Sequence, residues 1–321
     1  MLKRNSLATK FISLFLVLSS LCLCACSQSF DKQTENGEVT FTDALGRQVS
    51  VPKNVERVAA LIGSFADLWM LAGGEIVASA SDAWEDFGLE LEVAQNLGGA
   101  HSPSLEILLS CDPDFVIASA STASNVQMKE ILEGAGITVA YFDVDNFDDY
   151  LEMLDICTDI TGRKDLYEKN GLSVKREIEN IKNEISSHGI QDSERTVLLL
   201  RASSGAVKAK GSQGTILGEM LAELGLVNIA DSDVTLLENL SAESVISQDP
   251  YRIFVVTMGS DSNKAIKSLE TMIAQTPAWK DLEAIKQNRL YVMDKKLFNI
   301  KPNANWARSY EKLGEILLDK Q

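Results

Sequence analysis

Short, continuous apolar runs alternate along this chain with segments of helical periodicity, and the alternation falls into two blocks. In the first, Val58–Ile62, Ile76–Ser79, Phe115–Ala118 and Thr138–Phe142 are separated by the helical patterns Phe65–Leu71, Leu105–Leu109, Val126–Glu133 and Tyr150–Ile160. In the second, Val197–Leu200, Arg252–Thr257 and Arg289–Met293 alternate with Ile216–Leu224, Glu243–Ser247, Ala265–Ala274 and Asn305–Leu318. A short strand without polar alternation has two apolar faces to hide, so helices must cover both sides of a mostly parallel sheet. Ahead of the first block, Val39–Thr42 and Gln48–Val51 flank a turn at Leu45-Gly46-Arg47 and read as a hairpin closed by Pro52. Between the blocks, Asp165–Ser187 holds no proline, and Leu166, Leu172, Ile178, Ile181 and Ile185 recur at near-helical spacing. A helix of about 24 residues is roughly 36 Å long. That is the dimension of a domain, so the stretch is expected to join two lobes. Gly171 lies inside it and weakens helix propensity by about 1 kcal/mol relative to Ala.

The N-terminus reads as a targeting device outside the fold. Lys3, Arg4 and Lys10 form a basic leader, and Phe11–Ala25 is an apolar run broken only by Ser13, Ser19 and Ser20. That run falls short of the ~20 residues a spanning helix needs, and it has the make-up of a signal-peptide core that is removed. Small Ala25 precedes Cys26, whereas bulky Leu21 and Leu23 precede Cys22 and Cys24. This resembles the bacterial lipobox, with Cys26 the expected lipid acceptor and residues 1–25 cleaved away. Ser27–Glu38 carries one large apolar side chain, Phe30. It is expected to be a flexible tether with a reach of about 19 Å.

Processing at Cys26 removes three positive charges from a chain of formal net charge −16. Such an acidic protein suits neither phosphate backbones nor nucleic acid in general. The two remaining body cysteines, Cys111 and Cys157, sit in helical segments and are expected to be free and buried. Residues 39–321 exceed what one core usually organises. The expected organisation is therefore an N-terminal lobe at 39–163, an interlobe helix at 164–190 and a C-terminal lobe at 191–321.

An internal echo supports duplication. Pro103-Ser104-Leu105-Glu106 leads through Cys111-Asp112-Pro113-Asp114 into one strand; Leu240-Ser241-Ala242-Glu243 leads through Gln248-Asp249-Pro250-Tyr251 into another. In each, a serine suited to capping and a first-turn glutamate begin the helix. These pieces belong to a wider pattern: Asp43-Ala44-Leu45-Gly46-Arg47 with Val49-Ser50-Val51-Pro52, Arg57-Val58, and Gly63-Ser64-Phe65-Ala66-Asp67. It continues with Ser102-Pro103-Ser104-Leu105-Glu106, Pro113-Asp114, Thr161-Gly162, Pro277-Ala278-Trp279, Lys301-Pro302-Asn303 and Trp306. In order and spacing the pattern resembles the siderophore, haem and cobalamin group of ABC substrate-binding proteins, over nearly all of 39–321.

The resemblance implies an α/β protein of two Rossmann-like lobes with mostly parallel sheets, one rigid interlobe helix and a ligand cleft between the lobes. It further implies a monomer without intrinsic cofactor, which delivers its cargo to a membrane permease served by a separate ATPase subunit. In such proteins a glutamate on each lobe docks with permease arginines; the matching positions are Glu106 and Glu243. The implied cargo is an iron-siderophore-type ferric chelate, with haem, cobalamin or a non-transporting surface receptor as the alternatives.

Ligands of open α/β sheets bind where strand ends meet helix N-termini. In the first lobe that rule selects Gly63, Ser64 and Phe65, then His101, Ser102 and Ser104, and Trp84 in the loop after Ile76–Ser79. In the second, Arg201 ends a strand, and Lys208 and Lys210 precede Gly211-Ser212-Gln213-Gly214-Thr215. Backbone N–H groups at such a helix start suit an anion, although the Gly-Lys-Ser/Thr ending of a nucleotide loop is absent. Lys301 and Trp306 complete the candidates; where the family often has histidine or another aromatic, Asn299 and Ile300 stand. Trp279 reads as core. With only His101 and His188, neither a histidine-rich metal site nor a Gly-x-Ser-x-Gly hydrolase elbow is present in the sequence.

Overall fold

The computed structural model describes residues 33–35, 37–53, 55–259 and 261–318; the expected signal sequence, residues 1–25, and the expected lipid acceptor Cys26 lie outside these residues. Strands β1 (Gln33–Glu35), β2 (Glu38–Thr42) and β3 (Gln48–Pro52) form an antiparallel sheet. β2 and β3 are the expected hairpin, and Gly46 takes the positive φ of +74° that its turn requires. β1 lies within the stretch expected to be a tether, so regular structure begins before residue 39.

The first α/β block comprises β4 (Val58–Ala60), α1 (Gly63–Leu71), β5 (Ala78–Ser79), α2 (Asp82–Glu85), β6 (Gln95–Asn96), α3 (Leu105–Ser110), β7 (Phe115–Ser119), α4 (Ala123–Gln127), α5 (Lys129–Gly134), β8 (Thr138–Phe142) and α6 (Phe147–Thr161). Its five strands are all parallel, in the order β6-β5-β4-β7-β8. β4 and β7 are buried along their whole length, as strands covered on both faces must be. The strand order reverses between these two, which places a crevice at their carboxyl ends.

A helical run from Lys164 to His188 follows, made of α7 (Lys164–Tyr167), a π-helical turn (Glu168–Leu172) and α8 (Ser173–His188). Gly171 lies in the π turn. A Cβ there would stand 2.8 Å from Leu151 Cδ1 and 3.2 Å from Leu154 Cδ2. The glycine that weakens helix propensity thus allows the run to press against α6.

The second block holds β9 (Thr196–Ala202), β10 (Val207–Ala209), α9 (Ile216–Glu223), β11 (Val227–Asn228), α10 (Val234–Asn239), α11 (Ala242–Gln248), β12 (Arg252–Thr257), α12 (Ser262–Gln275), α13 (Glu283–Lys286), β13 (Leu290–Met293), α14 (Lys295–Phe298) and α15 (Trp306–Leu317). Its sheet runs β10-β9-β12-β13, with β11 also on β9, and every pairing is parallel except that of β10. The order again reverses beside the first strand of the block, between β9 and β12.

The internal echo is structural. Ser104 Oγ accepts from Ile107 N, and Ser241 Oγ accepts from Ser244 N, both at 3.3 Å. Just past the two helices Asp112 and Asp249 take φ of +46° and +37°, and buried Pro113 and Pro250 lead into β7 and β12. Cys111 and Cys157 are free and buried, and Trp279 is core. One apolar cluster runs from the hairpin through α1, α6, α8 and α15 to Phe254 and Val256 of β12, so the inner faces of both sheets share a core. Separate clusters line the outer face of each sheet.

Asp43 fastens the hairpin to β8. Its carboxylate is fully buried. Oδ1 accepts from Leu45 N and Arg47 N at 3.0 Å each, and Oδ2 accepts from Arg47 Nε at 3.0 Å and Tyr141 N at 3.2 Å. Arg47 also donates to Val139 O at 3.0 Å and lies 5.0 Å from the Tyr141 ring centroid. Truncation at Asp43 strands several buried donors at once. We therefore expect Asp43→Ala to lower the unfolding free energy by about 3–5 kcal/mol, read as a fall in urea midpoint with unchanged slope.

Candidate functional site

The first-lobe candidates after β4 are placed beneath the surface of the crevice. Gly63 N donates to Asp82 Oδ2 at 2.9 Å, and a Cβ on Gly63 would stand 2.4 Å from Ala83 N. The start of α1 is thereby covered by α2, and Gly63 serves close packing. Ser64 is buried, and its carbonyl accepts from Asn303 Nδ2 at 2.8 Å. Phe65 is fully buried, edge-on to Phe142 at 6.3 Å. None of the three offers a side chain to a ligand, which corrects the expectation from the strand-end rule: that rule finds the place but not which groups face out. Trp84 is half-buried on α2, not in a loop, and packs against the shared core. His101 and Ser102 are exposed after β6, and Ser104 is occupied in capping α3.

Trp306 is also corrected. It is fully buried, with ring centroids 5.9 Å from Phe147 and 6.4 Å from Tyr150, so no ligand can stack on it in this conformation. Asn303, which sequence reasoning left unassigned, donates to Asp67 Oδ2 at 2.7 Å as well as to Ser64 O. Residues 301–306 therefore fold back onto α1 and α6 of the first lobe, next to the crevice.

Lys301 belongs to that same fold-back. Its ammonium stands 5.8 Å from the Phe65 ring centroid. Burial lowers its pKa, and the field of Asp145, Asp143 and Asp149 works against that shift. In return Lys301 opposes the burial and the Asp143 repulsion that raise Asp145. The three carboxylates, Asp143 and Asp145 before α6 and Asp149 in its first turn, thus act on its charge, and Lys301 is not among the residues that line the cation-rich cavity of the second lobe.

That cavity gathers what the sequence proposed for the second lobe. It encloses about 670 Å³ between β9, β10 and the start of α9, and its walls include Arg201, Lys210, Gln213, Thr215, Asp231 and Leu237. Arg201 and Lys208 are direct partners in the antiparallel β9–β10 pair. The basic strip is therefore a hairpin edge and a cavity wall at once. Burial lowers the pKa of Arg201, whose Nε has no hydrogen-bond partner. Lys210 is lowered too, by burial first and then by Arg201 and Lys208. Asp231, the wall's carboxylate, is engaged in holding the loop: its Oδ1 accepts from Ser212 N at 2.7 Å. Asp231 and Leu237 were missed because nothing in their local sequence marks them. They reach the cavity through the connection after β11.

Two contacts bring the lobes together around this place. A Cβ on Gly214 would stand 4.0 Å from Asp145 Oδ2. Lys295 Nζ meets Asp86 Oδ1 at 2.6 Å and donates to Gly259 O at 3.2 Å, linking α14 to the chain after α2. A cavity of a few hundred cubic ångströms whose wall carries Arg201 and Lys210 against the carboxylate of Asp231 is suited to hold an anionic small molecule. Glu106 and Glu243 stand exposed in the first turns of α3 and α11.

Two parallel-sheet blocks, one carrying a cationic cavity at the start of α9, fit the class of small-molecule binding proteins. A family model described as periplasmic binding protein matches residues 55–297. The putative ABC transporter substrate-binding lipoprotein YhfQ of Bacillus subtilis is 24% identical, over 93% of this chain and 94% of its own. The Fe(3+)-citrate-binding protein YfmC of the same organism is 25% identical, over 90% of each chain. Staphylococcus aureus SirA in complex with staphyloferrin B superposes with a TM-score of 0.67 at 19% identity, over 88% of this chain and 97% of that structure. The chain belongs to the periplasmic binding protein family.

Proposed function

We propose that this chain captures an anionic ferric chelate outside the cytoplasmic membrane and delivers it to an ABC permease. The observation that carries this reading is the Arg201–Lys208–Lys210 edge. Arg201 and Lys210 are partly desolvated, and they outnumber Asp231, the carboxylate in the cavity wall, whose Oδ1 accepts from Ser212 N. Such a wall repels a bare metal ion, whereas an iron wrapped in a carboxylate-, hydroxamate- or catecholate-type chelator presents the anionic surface it lacks. The names of two similar proteins point the same way, one stating Fe(3+)-citrate and the other a complex with staphyloferrin B.

Tryptophan-fluorescence titration of the processed chain against ferric citrate, ferric hydroxamates, ferric catecholates, haem, cobalamin and free iron tests the cargo. Saturable, submicromolar binding of one ferric chelate is expected. Arg201→Gln should weaken it by about ten- to hundredfold. Because an anion favours protonated Lys210, affinity should decline as pH rises through the lowered pKa of that lysine, below the ordinary value of 10.5. Tight binding of haem, cobalamin or free iron alone, or indifference to Arg201→Gln, would contradict the assignment.

The receptor is held to the membrane through Cys26, the reading supported by the lipobox-like sequence and by lipoprotein relatives. No helix among the described residues is long and apolar enough to cross a membrane. Cys26→Ala should abolish incorporation of labelled palmitate and shift the protein out of the membrane fraction; continued labelling would exclude this anchor. Glu106 and Glu243 are the docking carboxylates for the permease. Reversing both charges should abolish chelate uptake while leaving chelate affinity intact, and unchanged uptake would argue for a non-transporting receptor.

A further inference from the structure

Each lobe presents an exposed apolar side chain at the same place beside its exposed glutamate. Matching the two capped helices residue by residue pairs Ser104 with Ser241 and Glu106 with Glu243. The next positions pair Leu108 with Val245, and Leu109 with Ile246. Leu108 and Val245 are both fully buried and seat their helices. Leu109 and Ile246, one position further on, are each 38% exposed. Three residues after a glutamate is nearly one helical turn, so each apolar group shares a face with its carboxylate. A solitary exposed leucine needs no explanation. The same exposure at equivalent positions of two lobes, whose surrounding sequence has otherwise diverged, does.

We infer that Leu109 and Ile246 are apolar pads that complete two matched docking patches, each a carboxylate beside a hydrophobic knob. The inference rests on the docking role proposed for Glu106 and Glu243. The occupant these patches fit is a protein surface that presents a cation next to an apolar socket twice, once for each lobe: the paired membrane subunits of the importer. A second copy of this chain would set glutamate against glutamate in a protein of formal net charge −16, which opposes association. Within each patch the labour divides physically. Exposed carboxylates guide approach and set orientation, and salt screens their effect. Apolar burial is not screened, and it governs how long the complex lasts.

Three forms of the chelate-loaded chain are compared by surface-immobilised binding to the importer reconstituted in lipid nanodiscs: wild type, L109S/I246S and E106K/E243K. Chelate titration serves as the control for folding. L109S/I246S should keep wild-type chelate affinity yet dissociate from the importer on the order of a hundredfold faster, about tenfold for each single variant, with little dependence on salt. The conservative L109M/I246M should restore the wild-type dissociation rate. E106K/E243K should instead slow association, most strongly at low salt. If L109S/I246S dissociates as slowly as wild type while E106K/E243K fails to bind, the pads are disproved and the glutamate docking stands. If E106K/E243K binds as wild type, the docking role itself is lost and the pads with it.

Discussion

A parallel strand that is apolar on both faces can be stable only inside a sandwich of helices, and that burial requirement shapes everything else in this protein. β4, β7 and β12 are buried from end to end. Their connections must cross over through helices, which leaves the carboxyl ends of the strands as the places where the layers part. With two such sheets, the helical run from Lys164 to His188 and the last helix, α15, fill the space between them, and the inner cores merge into one. A merged core, with residues 301–306 anchored on α1 and α6, resists wide opening of the lobes.

The same folding-back distributes charge unequally. Beside the first lobe, burial lowers the pKa of Lys301 while the field of Asp145, Asp143 and Asp149 opposes that shift. Burial raises the pKa of Asp67 and Asp82 in that lobe. Across from it, burial lowers the pKa of Arg201, and burial followed by repulsion from Arg201 and Lys208 lowers that of Lys210; Asp231 is the carboxylate in the wall of their cavity. A bound anion would relieve the repulsion on Lys210. Partly buried cations in excess of carboxylates are costly in a folded chain, which is reason to read them as function rather than as stability.

Much of this was legible in the sequence because the signals are local. Apolar runs without alternation located the central strands, with Thr138–Phe142 and Arg252–Thr257 agreeing at both ends. The Ser-x-Glu and Asp-Pro echo located the equivalent helices. Short strands such as β6 and β11 were not legible, because two residues carry no periodicity and their pairing is decided by neighbours distant in sequence. Within the site, the strand-end rule selected Arg201 and Lys210, which line the cavity. Phe65, selected by the same rule, and Trp306, offered for stacking, are buried instead, since an aromatic at a helix start looks the same whether its ring turns inward or toward a ligand. Asp231, Leu237 and Asn303 depend on tertiary folding alone. Gly171 shows the converse: its sequence cost in a helix is offset by a close approach visible only in three dimensions.

Whether an anionic chelate is held against the cationic edge of the second lobe is decided by a crystal structure of the protein soaked with the ferric chelate that it binds most tightly. Anionic oxygens are expected within hydrogen-bonding distance of the Arg201 guanidinium and Lys210 Nζ, facing the first-lobe crevice. A fully occupied chelate lodged elsewhere, with Arg201 left unpaired, would contradict this placement.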